Sequence, residues 1–223
     1  MTLTGRRFFH LCKFSLSGLR RTARRHGTSV NALCLSAFAA AAKRYLHSTL
    51  SLHPRLSSMI HQAYRSGRDT PSIENRFCFT RLKFPDADTP AARLRSVDAA
   101  FRESVAGRDV DAIYLLVKCL ANVLPGILTE RIFVNTTMFL EFTSLHVIPD
   151  RPRKFLDHPF LGFFGMTPPG KASGMTLCVT GTGGDEASFA LLADAAVAPS
   201  RRDLLHLARF VEAEIGALGS VGG

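Results

Sequence analysis

Gly27-Thr28-Ser29-Val30-Asn31-Ala32-Leu33-Cys34-Leu35-Ser36-Ala37-Phe38-Ala39-Ala40-Ala41-Ala42-Lys43-Arg44-Tyr45-Leu46 is the stretch on which the fold turns. Gly27 stops whatever precedes it. Thr28 or Ser29 then offers the side-chain oxygen that satisfies the first backbone N–H groups of a new helix. Val30, Cys34, Phe38, Ala41 and Tyr45 recur at helical spacing, and the run of alanines from 39 to 42 favours helix and lets a neighbour come close. Upstream, Arg7 to Phe14 mixes aromatic and basic residues as a strand does, and Ser15 or Ser17 caps a short basic helix ending at His26.

Downstream the pattern alternates. Leu50 to Ser72 is irregular, with Pro54, Gly67 and Pro71 as breakers, and a strand is expected from Ile73 to Phe84. Asp86-Ala87-Asp88 makes a turn, after which Thr89 and Pro90 supply a cap and a first-turn proline. Leu94, Val97, Phe101 and Val105 line that helix, and another runs from Asp111 to Val123 before Pro125. The tail reads as strands at Thr137–Ile148, Leu161–Met166, Met175–Thr180 and Ser188–Leu192. Ser200-Arg201-Arg202-Asp203 then has capping-box spacing and opens a last helix facing inward with Leu204, Leu207, Val211, Ile215 and Leu218. Helices interleaved with strands predict an α/β fold, a mixed sheet packed with helices and closed by antiparallel pairs, in one domain over residues 1–223.

Composition narrows the function. At 223 residues and 46% hydrophobic, the chain can bury a real core. No apolar run is long enough for a spanning helix. Cys12, Cys34, Cys78, Cys119 and Cys178 are odd in number and lack a CxxC pair, which predicts reduced, mostly buried thiols and no metal site. The charge is lopsided. Twelve basic residues and no acidic one occur up to Arg68, leaving sixteen basic against eighteen acidic side chains in the remainder. Arg20, Arg21, Arg24 and Arg25 concentrate on one short helix, a surface suited to an anionic membrane or an acidic partner. Nucleic acid fits less well: although the two helices around Gly27 have helix-turn-helix spacing, the second offers few groups for base edges.

Other chemistry resolves into ordinary structure. Gly181-Thr182-Gly183-Gly184 lacks the Lys-Ser/Thr of a phosphate loop and is followed by Asp185-Glu186, so it is expected to turn a hairpin. His146 with Asp150, and Asp157 with His158, are the two arrangements that could pair a base with an orienting carboxylate. Pro149 interrupts the first, and neighbours in an extended segment point apart in the second. Surface or hydrogen-bonded histidines are the expectation for both. None of the eight histidines has another beside it.

Gly27-Thr28-Ser29-Val30-Asn31-Ala32-Leu33-Cys34-Leu35, with Arg44-Tyr45-Leu46 downstream, resembles the Gly-x-Thr-Val-Asn-Asp-Val-x-Leu and Arg-Tyr-Leu segments of the wax ester synthase/diacylglycerol acyltransferase family. Asn75-Arg76-Phe77 is similar to that family's Gly-Asn-Arg-Phe entry to a strand, and Val147-Ile148-Pro149 stands at its Ser-Asn-Val-Pro-Gly-Pro stretch. Leu191-Leu192-Ala193-Asp194 looks like its late hairpin, and residues 200–218 like its final helix. The resemblance implies the C-terminal lobe of a two-lobed, CoA-dependent acyltransferase of the chloramphenicol-acetyltransferase-like type. Such enzymes move a fatty acyl group from acyl-CoA to diacylglycerol or a long-chain alcohol, with no permanently bound cofactor. Their general base lies in a His-His-x-x-x-Asp-Gly motif of the first lobe, which this chain lacks. The resemblance therefore implies no catalytic residue here, a partner lobe or subunit supplying the base, and a cytoplasmic site of action at a membrane or lipid droplet. Asn31 is the implied substrate-channel or lobe-interface residue, while Ala32 stands where the family has aspartate and Val147 where it has asparagine.

Overall fold

The computed structural model describes residues 3–51, 56–63, 77–84, 87, 89–106, 109–125, 140–145, 154–155, 158–159, 165, 173–182 and 185–220. In chain order the elements are β1 (Arg7–Ser15), α1 (Leu16–Arg25), α2 (Val30–Leu50), β2 (Ser57–Ala63), β3 (Phe77–Lys83), α3 (Pro90–Ala106), α4 (Asp109–Val123) and β4 (Leu140–Leu145). They continue with β5 (Lys154–Phe155), β6 (His158–Pro159), β7 (Met175–Thr182), β8 (Glu186–Asp194) and α5 (Arg201–Ser220).

The stretch after Gly27 becomes the centre of the molecule. Residues 32–42 of α2 are all buried, whereas its sequence pattern predicts a single apolar face. The difference has a steric cause: Ala37 and the alanines at 39–42 let the sheet and the flanking helices α3 and α5 approach the backbone from several directions. Ser29 starts the helix, its hydroxyl accepting from Ala32 N–H at 3.1 Å. Ser15 does the same for α1, accepting from Gly18 N–H at 3.0 Å, and Gly27 ends the connection at φ +65°. Thr89 caps α3 through Ala92 N–H at 3.2 Å. The predicted box at α5 closes in both directions. Asp203 N–H donates to Ser200 Oγ at 3.3 Å, and Ser200 N–H to the Asp203 carboxylate at 3.0 Å.

Six strands form one mixed sheet in the order β1-β8-β7-β4-β2-β3. The inner strands β2, β4 and β7 run parallel, while β3, β8 and β1 pair antiparallel at the two sides. β5 and β6 make a separate two-residue pair. The sheet and α2, α3 and α5 share one apolar cluster that includes Phe38, Tyr45, Ile60, Leu94, Phe142, Leu177, Phe189 and Leu207.

One expectation needs correction. β2 lies inside the stretch read as irregular: Ser-Ser-Met-Ile-His-Gln-Ala carries little β signal, yet Ser58 and Ile60 are buried because β4 and β3 flank the strand. β3 begins at Phe77, and residues 73–76 lie outside the described residues. Among the described cysteines Cys12, Cys34 and Cys178 are buried and Cys119 is exposed, so the thiols are mostly buried, as expected. The expected strand Leu161–Met166 falls outside the described residues except for Gly165.

Candidate functional site

The first turn of α2 borders an open pocket of about 500 Å³ lined by Thr28, Ser29, Asp98, Phe101, Arg102 and Ala106. Two elements build it. The Gly27 turn delivers Thr28 and Ser29, and α3 presents Asp98, Phe101 and Arg102 at helical spacing. Asp98 is buried and pairs with Arg102 Nε at 2.8 Å, while Arg102 also donates to Gly27 C=O at 2.9 Å. The other Asp98 oxygen accepts from Ser29 N–H at 3.4 Å. A carboxylate thus stands at the positive end of the α2 dipole, supplied by α3 rather than by position 32. Ala32 itself is fully buried. Asn31 is half-buried in this first turn, two residues past Ser29, and is not among the lining residues.

Arg20, Arg21, Arg24 and Arg25 are all exposed on α1, as their polar surroundings in the sequence imply. The structure separates them into two pairs. Arg21 and Arg25 border a second cavity, of about 320 Å³, whose walls include Phe14, Leu19 and Ile215; Arg20 and Arg24 do not line it. Arg25 donates to Gly219 C=O at 2.8 Å and His26 lies 3.0 Å from Leu218 C=O, so the end of α1 closes the end of α5. The glycine-containing turn joins β7 to β8, as the sequence predicts. Its Asp185 accepts from Ser15 Oγ at 2.7 Å and from Ser17 N–H, bonds that hold its carboxyl below the usual range.

Asp194, at the end of β8, is a residue whose role the sequence reading missed. It is fully buried, and burial opposes its charge. Donors from Thr4 N–H, Ala196 N–H, Thr4 hydroxyl and Gly5 N–H outweigh that and hold its carboxyl below the usual range. Arg7 stands 3.7 Å away and donates to Ser173 C=O. The cluster clips the segment before β1 to the turn after β8; a lone acid ending an apolar strand was the available signal.

The paired-residue candidates are not assembled by the described structure. His146, Val147, Asp150 and Asp157 lie outside the described residues, and His158 is exposed on β6. His206 meets Tyr45 edge-on and lies tilted against Phe210. Among the described residues, no group of three His, Cys, Asp or Glu side chains could hold a metal, and no helix is long and apolar enough to cross a membrane.

No family model and no curated protein matches this chain by sequence. Solved structures do match it by shape. A wax ester synthase/diacylglycerol acyltransferase from Marinobacter aquaeolei VT8 superimposes with a TM-score of 0.68 at 18% identity, over 97% of this chain and 49% of that one. The nonribosomal peptide synthetase FmoA3 gives 0.66 at 16% identity, over 100% of this chain and 24% of that one. The first condensation domain of the CDA synthetase gives 0.57 at 17% identity, over 97% and 46%. The fold is that of one acyltransferase-like lobe. That fold is shared with the acyltransferase and condensation-domain structures above, and the chain spans about half the length of the wax ester synthase it matches. At these identities the likeness is one of fold.

Proposed function

We propose that this chain is the second lobe of an O-acyltransferase of the wax ester synthase/diacylglycerol acyltransferase kind, working with a lobe that carries the paired histidines. The match across 97% of this chain and 49% of a wax ester synthase supports the reading, and the family-like segments occur in the same order along the sequence. The exposed Leu115, Leu116 and Val123 on α4 add an apolar surface of the kind a second lobe covers.

In this reading acyl-CoA is the co-substrate and a diacylglycerol or long-chain alcohol the acceptor. The alcohol must lose its proton as it attacks the thioester carbonyl, so a histidine from the partner lobe removes it. This chain supplies walls and positioning. Asn31, beside the pocket at the α2 terminus, is its substrate-channel or lobe-interface residue. The place of work is cytoplasmic, at a membrane or lipid droplet.

Co-expression with a separate lobe bearing His-His-x-x-x-Asp-Gly tests the proposal, with acyl transfer from a long-chain acyl-CoA to hexadecanol or diacylglycerol as the readout. The pair is expected to transfer, and the chain alone to fall about 10²–10⁴-fold below it for want of the base. A stable complex of the two lobes that transfers nothing overturns the reading. A second reading, a non-catalytic module on an anionic surface or acidic partner, is favoured by the exposure of all four α1 arginines.

A further inference from the structure

We propose that the cavity between α1 and the last turn of α5 is a binding site for a phosphate-bearing amphiphile. Arg21 and Arg25 would hold the phosphate, and Phe14, Leu19 and Ile215 would receive the first carbons of the apolar part. The inference goes beyond acyl transfer and stands without it.

Small residues make the space. Gly18, Thr22 and Gly219 lie where α1 meets α5, and a Cβ added to Gly219 would sit 3.8 Å from Thr22 Oγ1. The resulting cavity, about 320 Å³, has room for a headgroup and a few methylenes rather than a whole lipid. Its chemistry is one-sided. Arg21 and Arg25 are one helical turn apart on α1, share a face of it and both line this cavity. No acidic side chain lines the cavity among the described residues. Asp185, the carboxylate near Arg21, is engaged by Ser15 and Ser17 at the start of α1. Arg21 Nη1 donates to Ser17 Oγ at 3.2 Å and Arg25 Nη1 to Gly219 C=O, which orients both groups while other N–H donors of each planar fork point elsewhere. Two oriented guanidinium forks above an apolar floor match an oxyanion with three acceptor oxygens attached to a hydrocarbon stem.

The same headgroup chemistry occurs on a soluble phosphomonoester and on a membrane phospholipid, and two probes separate them. Hexyl phosphate, inorganic phosphate and hexanol are titrated into the full chain by calorimetry, and vesicles of phosphatidylcholine with and without phosphatidic acid are tested by flotation. Hexyl phosphate is expected to bind about tenfold or more tightly than inorganic phosphate, because only it fills the apolar floor. Arg21→Gln with Arg25→Gln should lose about tenfold or more. Arg20→Gln with Arg24→Gln, the same change in net charge away from the cavity, should change affinity by no more than about twofold. Thr22→Leu, which fills the cavity and spares both arginines, should weaken hexyl phosphate but not inorganic phosphate. Vesicle binding with the same variant pattern assigns the site to a lipid headgroup, and hexyl phosphate binding without it assigns a soluble phosphomonoester. Equal losses from the two arginine pairs, or equal affinity for hexyl and inorganic phosphate, overturn the proposal in favour of diffuse charge attraction.

Discussion

Along β4, β7 and β8 the two faces of the central sheet are both buried, but they are buried in different ways. On the face shared with the helices, Leu140, Phe142, Leu177, Val179, Phe189 and Leu191 join one apolar cluster. The alternating positions on the other face are Glu141, Thr143, Thr176, Cys178, Thr180, Ser188, Ala190 and Leu192, mostly polar and each less than a tenth exposed. Burying polar groups costs free energy unless they are hydrogen-bonded. This face meets that cost between neighbours: Thr176 Oγ1 donates toward Glu141 at 3.4 Å, and Thr180 Oγ1 toward Ser188 C=O at 3.4 Å, across strands held in register. The first face therefore carries the stability of the lobe, and the second is a polar layer held by hydrogen bonds.

The largest expected break in that comparison is Phe142→Ala. Phe142 is among the largest fully buried side chains, so its removal should cost about 3–5 kcal/mol in a denaturant titration. Thr143→Ala, one residue along and facing the other way, should cost much less. Equal losses would mean that the faces do not divide the work.

Asp194 comes next. Asp194→Asn removes a charge that receives several hydrogen bonds, with an expected loss of about 1.5–3 kcal/mol. Its carboxyl is held below the usual range, so its contribution is present above the ordinary carboxylate pKa and is lost as pH falls through the folded value. Acid titration of stability should be shallower in the Asn variant; an unchanged acid limb would assign the cluster no part in it.

Thiol labelling checks the claim that both faces are buried. Cys12 belongs to the helix-side cluster and Cys178 to the other face. Burial pushes each thiol up to about 11, with Glu212 adding to the shift at Cys12. In a Cys78→Ser background, a maleimide should modify Cys119 in the folded protein and reach Cys12, Cys34 and Cys178 only on unfolding. Labelling of Cys178 alone would show that the polar face opens.

Much of this architecture is legible in the sequence because local physics writes it there. Ser15, Ser29, Thr89 and Ser200 cap the helices expected of them, and the glycine-containing turn makes its hairpin, since each needs only a few neighbouring residues. β2 was hidden for the opposite reason: Ser57 and Ser58 are buried by strands far away in the chain, and no local pattern records that. The site was legible in part. The four arginines are exposed as expected, but their division into a cavity pair and an outer pair depends on the end of α5 lying across α1. The carboxylate at the α2 terminus comes from Asp98, which a motif comparison at position 32 cannot find.

The smallest expected effects give the sharpest test, because they use adjacent residues of one strand. Val179 faces the apolar cluster and Thr180 the polar layer, and the two side chains have nearly the same shape. Val179→Thr places a hydroxyl among hydrocarbon, with a helix-side environment that gives it little to bond. Thr180→Val removes a hydroxyl whose bond to Ser188 C=O is long, at 3.4 Å, and leaves a methyl group in its place. The first exchange should therefore destabilise by about 1 kcal/mol more than the second, read as the difference in unfolding midpoint multiplied by a shared slope. A reversed order would mean that Thr180 holds the polar layer together and that the hydrogen-bonded face contributes more to stability than its long bonds imply.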